Sequence, residues 1–260
     1  MAYNNFYKRA PIIMERVVAI ETLENTFILE VFKERTWTKL LNPTGNVFAE
    51  IIREFFANAI MEGECINCWL RGREFYVTRE SIQEILEVYP PTQQSHIQYD
   101  DRLDFLVPIA KLFGCDLKKK VLNTIHFTPE MRTLAYIMLH DLYPIKNLTT
   151  LSGPRTIFLL DLFTHKEIDI CSHIYYLFTK CITKRNSGMV LPFLTLIKAL
   201  IAKARVKLLS GLSMMPRDYP ISAQTMTRSK AYITGPFVGI FQILKDDFEE
   251  EGGDTKEEIN

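Results

Sequence analysis

The stretch from Cys65 to Pro91 constrains the fold more tightly than any other part of the chain. It reads Cys-Ile-Asn-Cys-Trp-Leu, then Arg71-Gly72-Arg73, then Glu-Phe-Tyr-Val, then Thr78 and an amphipathic run closed by Pro90-Pro91. Ile66, Trp69, Leu70, Phe75, Tyr76 and Val77 suit a pleated, half-buried surface. Gly72 can take a positive φ without steric cost, so a tight turn is expected at Arg71-Gly72-Arg73, with both arginines in solvent at its tip. Thr78 fits an N-cap, since its hydroxyl can accept from an orphan N–H of the first helical turn. Glu80 lies in that turn, where the helix dipole favours an acid. Ile82, Ile85, Leu86 and Tyr89 recur on one helical face, and Pro90 stops the helix. The expectation is a small hairpin feeding a capped helix.

Helical periodicity dominates elsewhere. Val47, Phe48, Ile51, Ile52, Phe55, Phe56, Ala59 and Ile60 form a broad apolar stripe that predicts a helix over 44–60, ended by Gly63. Thr128-Pro129-Glu130 is a helix start, with Leu134, Ile137, Met138 and Leu142 facing inward and Pro144 near the end. Ser152 or Gly153 opens a helix through Ile157, Leu160 and Phe163. Asp169 caps another carrying Ile170, Ile174, Leu177, Phe178 and Ile182. Pro192 precedes a helix with Phe193, Leu196, Ile197, Leu200 and Ile201. The fold class is therefore mainly α: a multi-helix globular domain with one small β-hairpin and a disordered acidic C-terminal tail. The expected divisions are an irregular N-terminus over 1–11, a single helical domain over 12–211, and a weakly structured extension over 212–260.

The five cysteines are odd in number and irregularly spaced. That argues against a disulfide framework and for reduced thiols in an intracellular protein, nuclear or cytoplasmic. The N-terminal residues show no apolar core of a secretory signal. The most apolar window, 189–202, is too short for a bilayer and contains Lys198, so no membrane partner is expected. Formal net charge is zero but unevenly spread. The tail over 246–260 holds eight acids against Lys256, leaving 30 basic and 23 acidic side chains in the rest. A mildly basic body admits nucleic-acid contact, whereas block charges of the tail's kind are ordinarily solvated.

Each reactive pattern has a competing structural reading. Cys65-x-x-Cys68 is half of a zinc ribbon and lacks its second pair, so no metal is expected. Cys171 and His173 stand two apart at a helix start and do not share a face, which disfavours a nucleophile–base pair; His165 completes that group. Asp100, Asp101, Asp104, Asp116, Asp141 and Asp161 could serve a two-metal nuclease only on converging strands. They read instead as caps, turns and helix surfaces. No phosphate-cradling glycine loop is present, and no cofactor or catalytic residue is assigned. Lys118, Lys119, Lys120, Lys184, Arg185, Lys198, Lys203, Arg205 and Lys207 are the candidate phosphate contacts. Tyr175, Tyr176 and Phe178 could stack on bases if exposed.

Ile52-Arg53-Glu54-Phe55-Phe56-Ala57-Asn58, Trp69-Leu70-Arg71-Gly72-Arg73, Phe75-Tyr76-Val77-Thr78 and Ile82 to Leu86 follow one another in an order that resembles the plant transposon protein domain family. Leu122 to Met131, Asp141-Leu142-Tyr143-Pro144, Leu148, Arg155 and Leu191-Pro192-Phe193-Leu194 continue it, over about 10–210 of the chain. Thr133-Leu134 departs from it, standing where such domains often carry an aromatic. The resemblance implies a mobile-element origin and a plant source, and brings no catalytic set. Three functional readings stand: a non-catalytic module acting through protein or nucleic-acid contacts, a divergent transposase or nuclease, and a domesticated protein-interaction regulator.

Overall fold

A computed structural model describes residues 5–89, 121–184, 190–208 and 211–230. The polar loop after Pro90, the aspartates over 100–116, Lys118 to Lys120, Arg185, the apolar segment 237–244 and the acidic tail lie outside the described residues. The fold is mainly helical with a small antiparallel sheet.

The first described element is α1 (Asn5–Arg9), one short helix where irregular backbone was expected; it buries Tyr7 completely. Extended backbone follows, then α2 (Phe27–Glu34) and α3 (Thr38–Leu41). Next comes α4 (Ala49–Asn58), shorter than its apolar stripe. At its start Val47 and Phe48 are extended, because Phe48 bridges Met214. At its end Ala59 and Ile60 leave the helix for β1 (Ala59–Glu62), which pairs antiparallel with β2 (Cys65–Leu70). The expected two-stranded hairpin is thus the second half of a three-stranded sheet, β1-β2-β3, with β3 at Arg73–Val77.

The β2–β3 turn has two central residues. Leu70 pairs with Arg73, and Arg71 and Gly72 take φ of 48° and 80°. Positive φ at both is the twist that suits a two-residue hairpin. Arg71 is not a solvated tip residue. Its Nε donates to Glu54 Oε2 at 2.9 Å and its Nη2 to Glu54 Oε1 at 3.1 Å, which ties the turn to α4.

Thr78 opens α5 (Arg79–Leu86) as expected. Its hydroxyl accepts from Ser81 N, and Ser81 Oγ accepts from Thr78 N in return. Ile82 and Leu86 are buried. Tyr89 is exposed instead of completing the apolar face, because the left-handed Glu87 (φ 56°) ends the helix and turns the chain outward.

The second half contains β4 (Val121–Asn123), paired with β5 (Thr150–Ser152), and the helices α6 (Pro129–Ile137), α7 (Gly153–Phe163), α8 (Ile170–Thr183) and α9 (Leu194–Lys203). Thr128 caps α6, and Asp169 caps α8 by accepting from Ser172 N at 2.9 Å. A single wide turn, Met138–Leu142, extends α6. The last described element, α10 (Ala223–Lys230), packs on α6 and follows Ile221, which is fully buried.

The core joins sheet and helices through aromatic edges. Phe55 and Phe56 of α4 each meet Phe178 of α8 at 6.0 Å, and Phe178 meets Phe193 at 5.8 Å. Phe55 also stacks on Phe75 of β3 at 6.3 Å. Such contacts add about 1 kcal/mol each beyond area burial. They hold the inner face of the sheet against α4 and leave its outer face to solvent.

Candidate interaction surface

Strand alternation sorts the sheet residues between two faces. Ala59, Ile66, Cys68, Leu70 and Val77 point inward and are buried. Ile60, Glu62, Cys65, Asn67, Trp69, Glu74 and Tyr76 share the opposite face. The register sets Ile60, Asn67 and Tyr76 in one row across the three strands, with Glu62 beside Cys65 and Trp69 beside Glu74 in the rows on either side. Asn67, at the centre, is buried by its neighbours, and its Nδ2 donates to Glu62 Oε1 at 3.0 Å and to Glu74 Oε1 at 2.8 Å. One amide thereby draws two carboxylates toward the middle of the face. Around them Ile60, Trp69 and Tyr76 remain 52%, 49% and 52% exposed, too much for side chains engaged in an interior. The alternation Cys65-Asn67-Trp69 and Glu74-Tyr76 carried this face in the sequence, but only the added strand β1 supplies Ile60 and Glu62.

The reactive groups singled out by motif sit elsewhere. Cys68 lies under α4, its Sγ donating to Phe55 O at 3.7 Å, and burial pushes its thiol up to about 12. Burial does the same to Cys171 and Cys181. His173 donates from Nε2 to Leu142 O at 2.9 Å and packs against Phe158 and Tyr143; burial drives it down to about 3. A protonated thiol and a locked neutral imidazole do not make a nucleophile–base pair. His165 pairs with Glu34 through Nδ1 at 2.5 Å. Asp141 and Asp161, expected on helix surfaces, are both buried. Among the described residues, no group of three or more His, Cys, Asp or Glu side chains could hold a metal ion.

Asp141 belongs to a buried charged cluster that periodicity did not reveal. Its Oδ1 accepts from Arg16 N at 2.8 Å, and Glu15 Oε1 accepts from Thr195 N at 2.9 Å. Burial raises Glu15 to about 7, against the opposing pull of hydrogen bonds from its own backbone and from Thr195 and of the Arg217 charge. It raises Asp141 well above the carboxylate range, and the Glu15 charge adds to that. His140, whose ring nitrogens have no hydrogen-bond partner among the described residues, is lowered to about 4 by burial and then by Arg16. The cluster lies under extended backbone, residues 12–19, bridged to Leu191 at one end and Ile221 at the other. A lone acid in an aperiodic stretch leaves no sequence signal for it.

Of the candidate phosphate contacts, Lys184 is exposed at the end of α8. Lys198 is half-buried, with its Nζ so close to Gly45 that a Cβ there would meet it at 1.9 Å. Lys203 is exposed and paired with Glu84 of α5. Arg205 and Lys207 are exposed just beyond α9. Tyr175 donates to Glu64 O at 2.7 Å, Tyr176 lies beneath Lys180, and Phe178 is buried, so it presents no ring for a base.

Residues 33–207 match the family described as "Putative plant retrotransposon-related domain". The chain belongs to this family. The match agrees with the transposon-related resemblance read from the sequence. No curated protein and no solved structure matches. The retrotransposon-related domain contains the entire three-stranded sheet, α4, α5 and α9, and so the whole outer face with Trp69 at its edge. Glu15 and Ile221 fall outside it, although both are built into the same body. Among the described residues of this family member, no helix is long and apolar enough to cross a membrane.

Proposed function

We propose that this retrotransposon-related domain is a non-catalytic module acting inside the cell, in nucleus or cytoplasm, through protein contacts made by the outer face of its sheet. The observation that carries the reading is the half-exposed trio Ile60, Trp69 and Tyr76 around two carboxylates fixed by Asn67. Aromatic side chains of this kind are the groups that dominate protein interfaces. The buried thiols and the locked His173 support a structural role for the groups that looked reactive. Free Cys65, Cys68, Cys171 and Cys181 accord with a reducing compartment.

The test compares proteins captured from plant extract by the full chain and by a Trp69→Ala/Tyr76→Ala variant. Partners lost with the altered face are the expected result. Retention of every partner would overturn the reading, as would metal-dependent strand cleavage abolished by an aspartate substitution.

A second reading, nucleic-acid contact, draws on Arg205 and Lys207, which are exposed and make no ion pair with another described residue. Lys184 and Lys203 are the other exposed candidates among the described residues. Fluorescence anisotropy with single- and double-stranded oligonucleotides at two salt concentrations separates the readings. Phosphate contact predicts affinity that falls steeply with salt and drops further in Arg205→Ala/Lys207→Ala.

A further inference from the structure

Resting on the protein-contact reading, we infer that the outer sheet face binds an arginine-bearing segment of a partner protein. Three features select that chemistry. Glu62 and Glu74 are held toward one point by Asn67, and neither forms an ion pair with a described cation. Two carboxylates so gathered repel each other until a cation lies between them. Glu64, at the β1–β2 turn, adds a third acid, its side chain 93% exposed and 3.9 Å from Arg79.

The aromatic rings supply the second feature. Trp69 lies in the row of Glu74, and Tyr76 in the row of Asn67. A guanidinium seated on this face meets an indole or phenol surface on one side and a carboxylate on the other. Arginine uses both at once, stacking its plane on a ring while its fork of N–H groups donates to the acid. Lysine offers a point charge with no plane, and binds such a face less well. The third feature is exclusion: a phosphate backbone approaching Trp69 and Tyr76 would confront Glu62, Glu64 and Glu74. Nucleic acid, if bound by this chain, goes elsewhere.

The experiment uses the full chain and a fluorescein-labelled Gly-Ser peptide carrying spaced arginines, read by anisotropy. Emission from Trp69 gives a second signal at the site, because Trp37, the other of the two tryptophans, is 3% exposed. Saturable binding is expected, with a shift in Trp69 emission. It should weaken about tenfold in Glu62→Gln/Glu74→Gln and about severalfold when the arginines are replaced by lysines. Both Gln side chains keep an oxygen for Asn67, so the sheet stays intact. Equal binding by the Gln variant overturns the inference, as does an acidic or uncharged peptide that binds as tightly. In those cases a protein-docking face survives with a different occupant. Oligonucleotide that shifts Trp69 emission where no peptide does removes the protein-contact reading as well. Self-association lost in Trp69→Ala would make a second copy the occupant and also overturn the inference.

Discussion

Glu15→Gln should stabilise this protein at alkaline pH, by an amount that disappears in acid. Glu15 is buried, and its proton affinity rises from an ordinary 4.5 to about 7 because ionisation there lacks water. Between those values the folded chain holds a proton that the unfolded chain has released. Stability must therefore fall as pH rises through that window. At about 1.4 kcal/mol per tenfold change in proton affinity, the full loss is about 3 kcal/mol above pH ~7. Glutamine is neutral throughout and can still accept from Thr195 N through its amide oxygen, so the variant escapes the loss.

Urea unfolding of both proteins at a series of pH values measures it. The difference between the two matters, not either curve alone, because His140 and His173 titrate in an overlapping range and cancel in the comparison. The gap should widen by about 3 kcal/mol in favour of the variant between about pH 4 and pH 8, with the urea slope unchanged. A gap that stays flat across that range would refute the account of Glu15 as a buried acid strained by ionisation.

The remaining expectations concern individual contacts. Thr78→Ala removes a reciprocal cap and should cost about 1 kcal/mol, seen as a lower melting midpoint. Arg71 and Glu54 should show a coupling of about 1 kcal/mol in a double-mutant cycle, since the pair is two-pronged and half-sheltered from water. His173 binds its proton far less readily folded than unfolded, so stability should be complete above about pH 6.5 and decline toward its lowered value of about 3. His173→Gln, which can keep the donor to Leu142 O, should make that decline shallower in acid unfolding curves. Brief alkylation at mildly alkaline pH followed by mass spectrometry should find Cys68, Cys171 and Cys181 protected while the protein is folded, and half-exposed Cys65 modified.

Local chemistry made much of this fold readable in advance. The Arg71-Gly72 turn, the Thr78, Thr128 and Asp169 caps and the inward faces of α6, α8 and α9 all follow from neighbours a few residues apart, whereas α7 buries Phe158, Leu159 and Leu162 and leaves Leu160 and Phe163 half-buried. Features made by distant backbone were not readable. Ala59 and Ile60 continue the periodicity of α4, yet pairing with Asn67 and Cys68 draws them into a strand. Phe48 likewise leaves the helix to bridge Met214. Tyr89 has helical spacing, but the left-handed Glu87 turns it out to solvent. The interaction face was half legible: Trp69, Glu74 and Tyr76 alternate on their strands, whereas Glu62 joins them only through the third strand. Glu15 gave no hint, because its burial depends on Thr195 far along the chain.

Ile13 N donates to Leu191 O, and Ala19 N donates to Ile221 O at 2.8 Å. The early segment is thus clasped by residues made much later in translation, and the second clasp lies beyond the family boundary at 207. During translation the first stretch must wait, uncovered, until Ile221 has left the ribosome. A fragment trimmed to the family limits would omit that stretch together with its clasp at Ile221, and would leave Leu191 O without the donor that covers it. It would open the cover over Asp141 and His140 to water, and expression trials that respect only the family limits should yield a looser, protease-sensitive product.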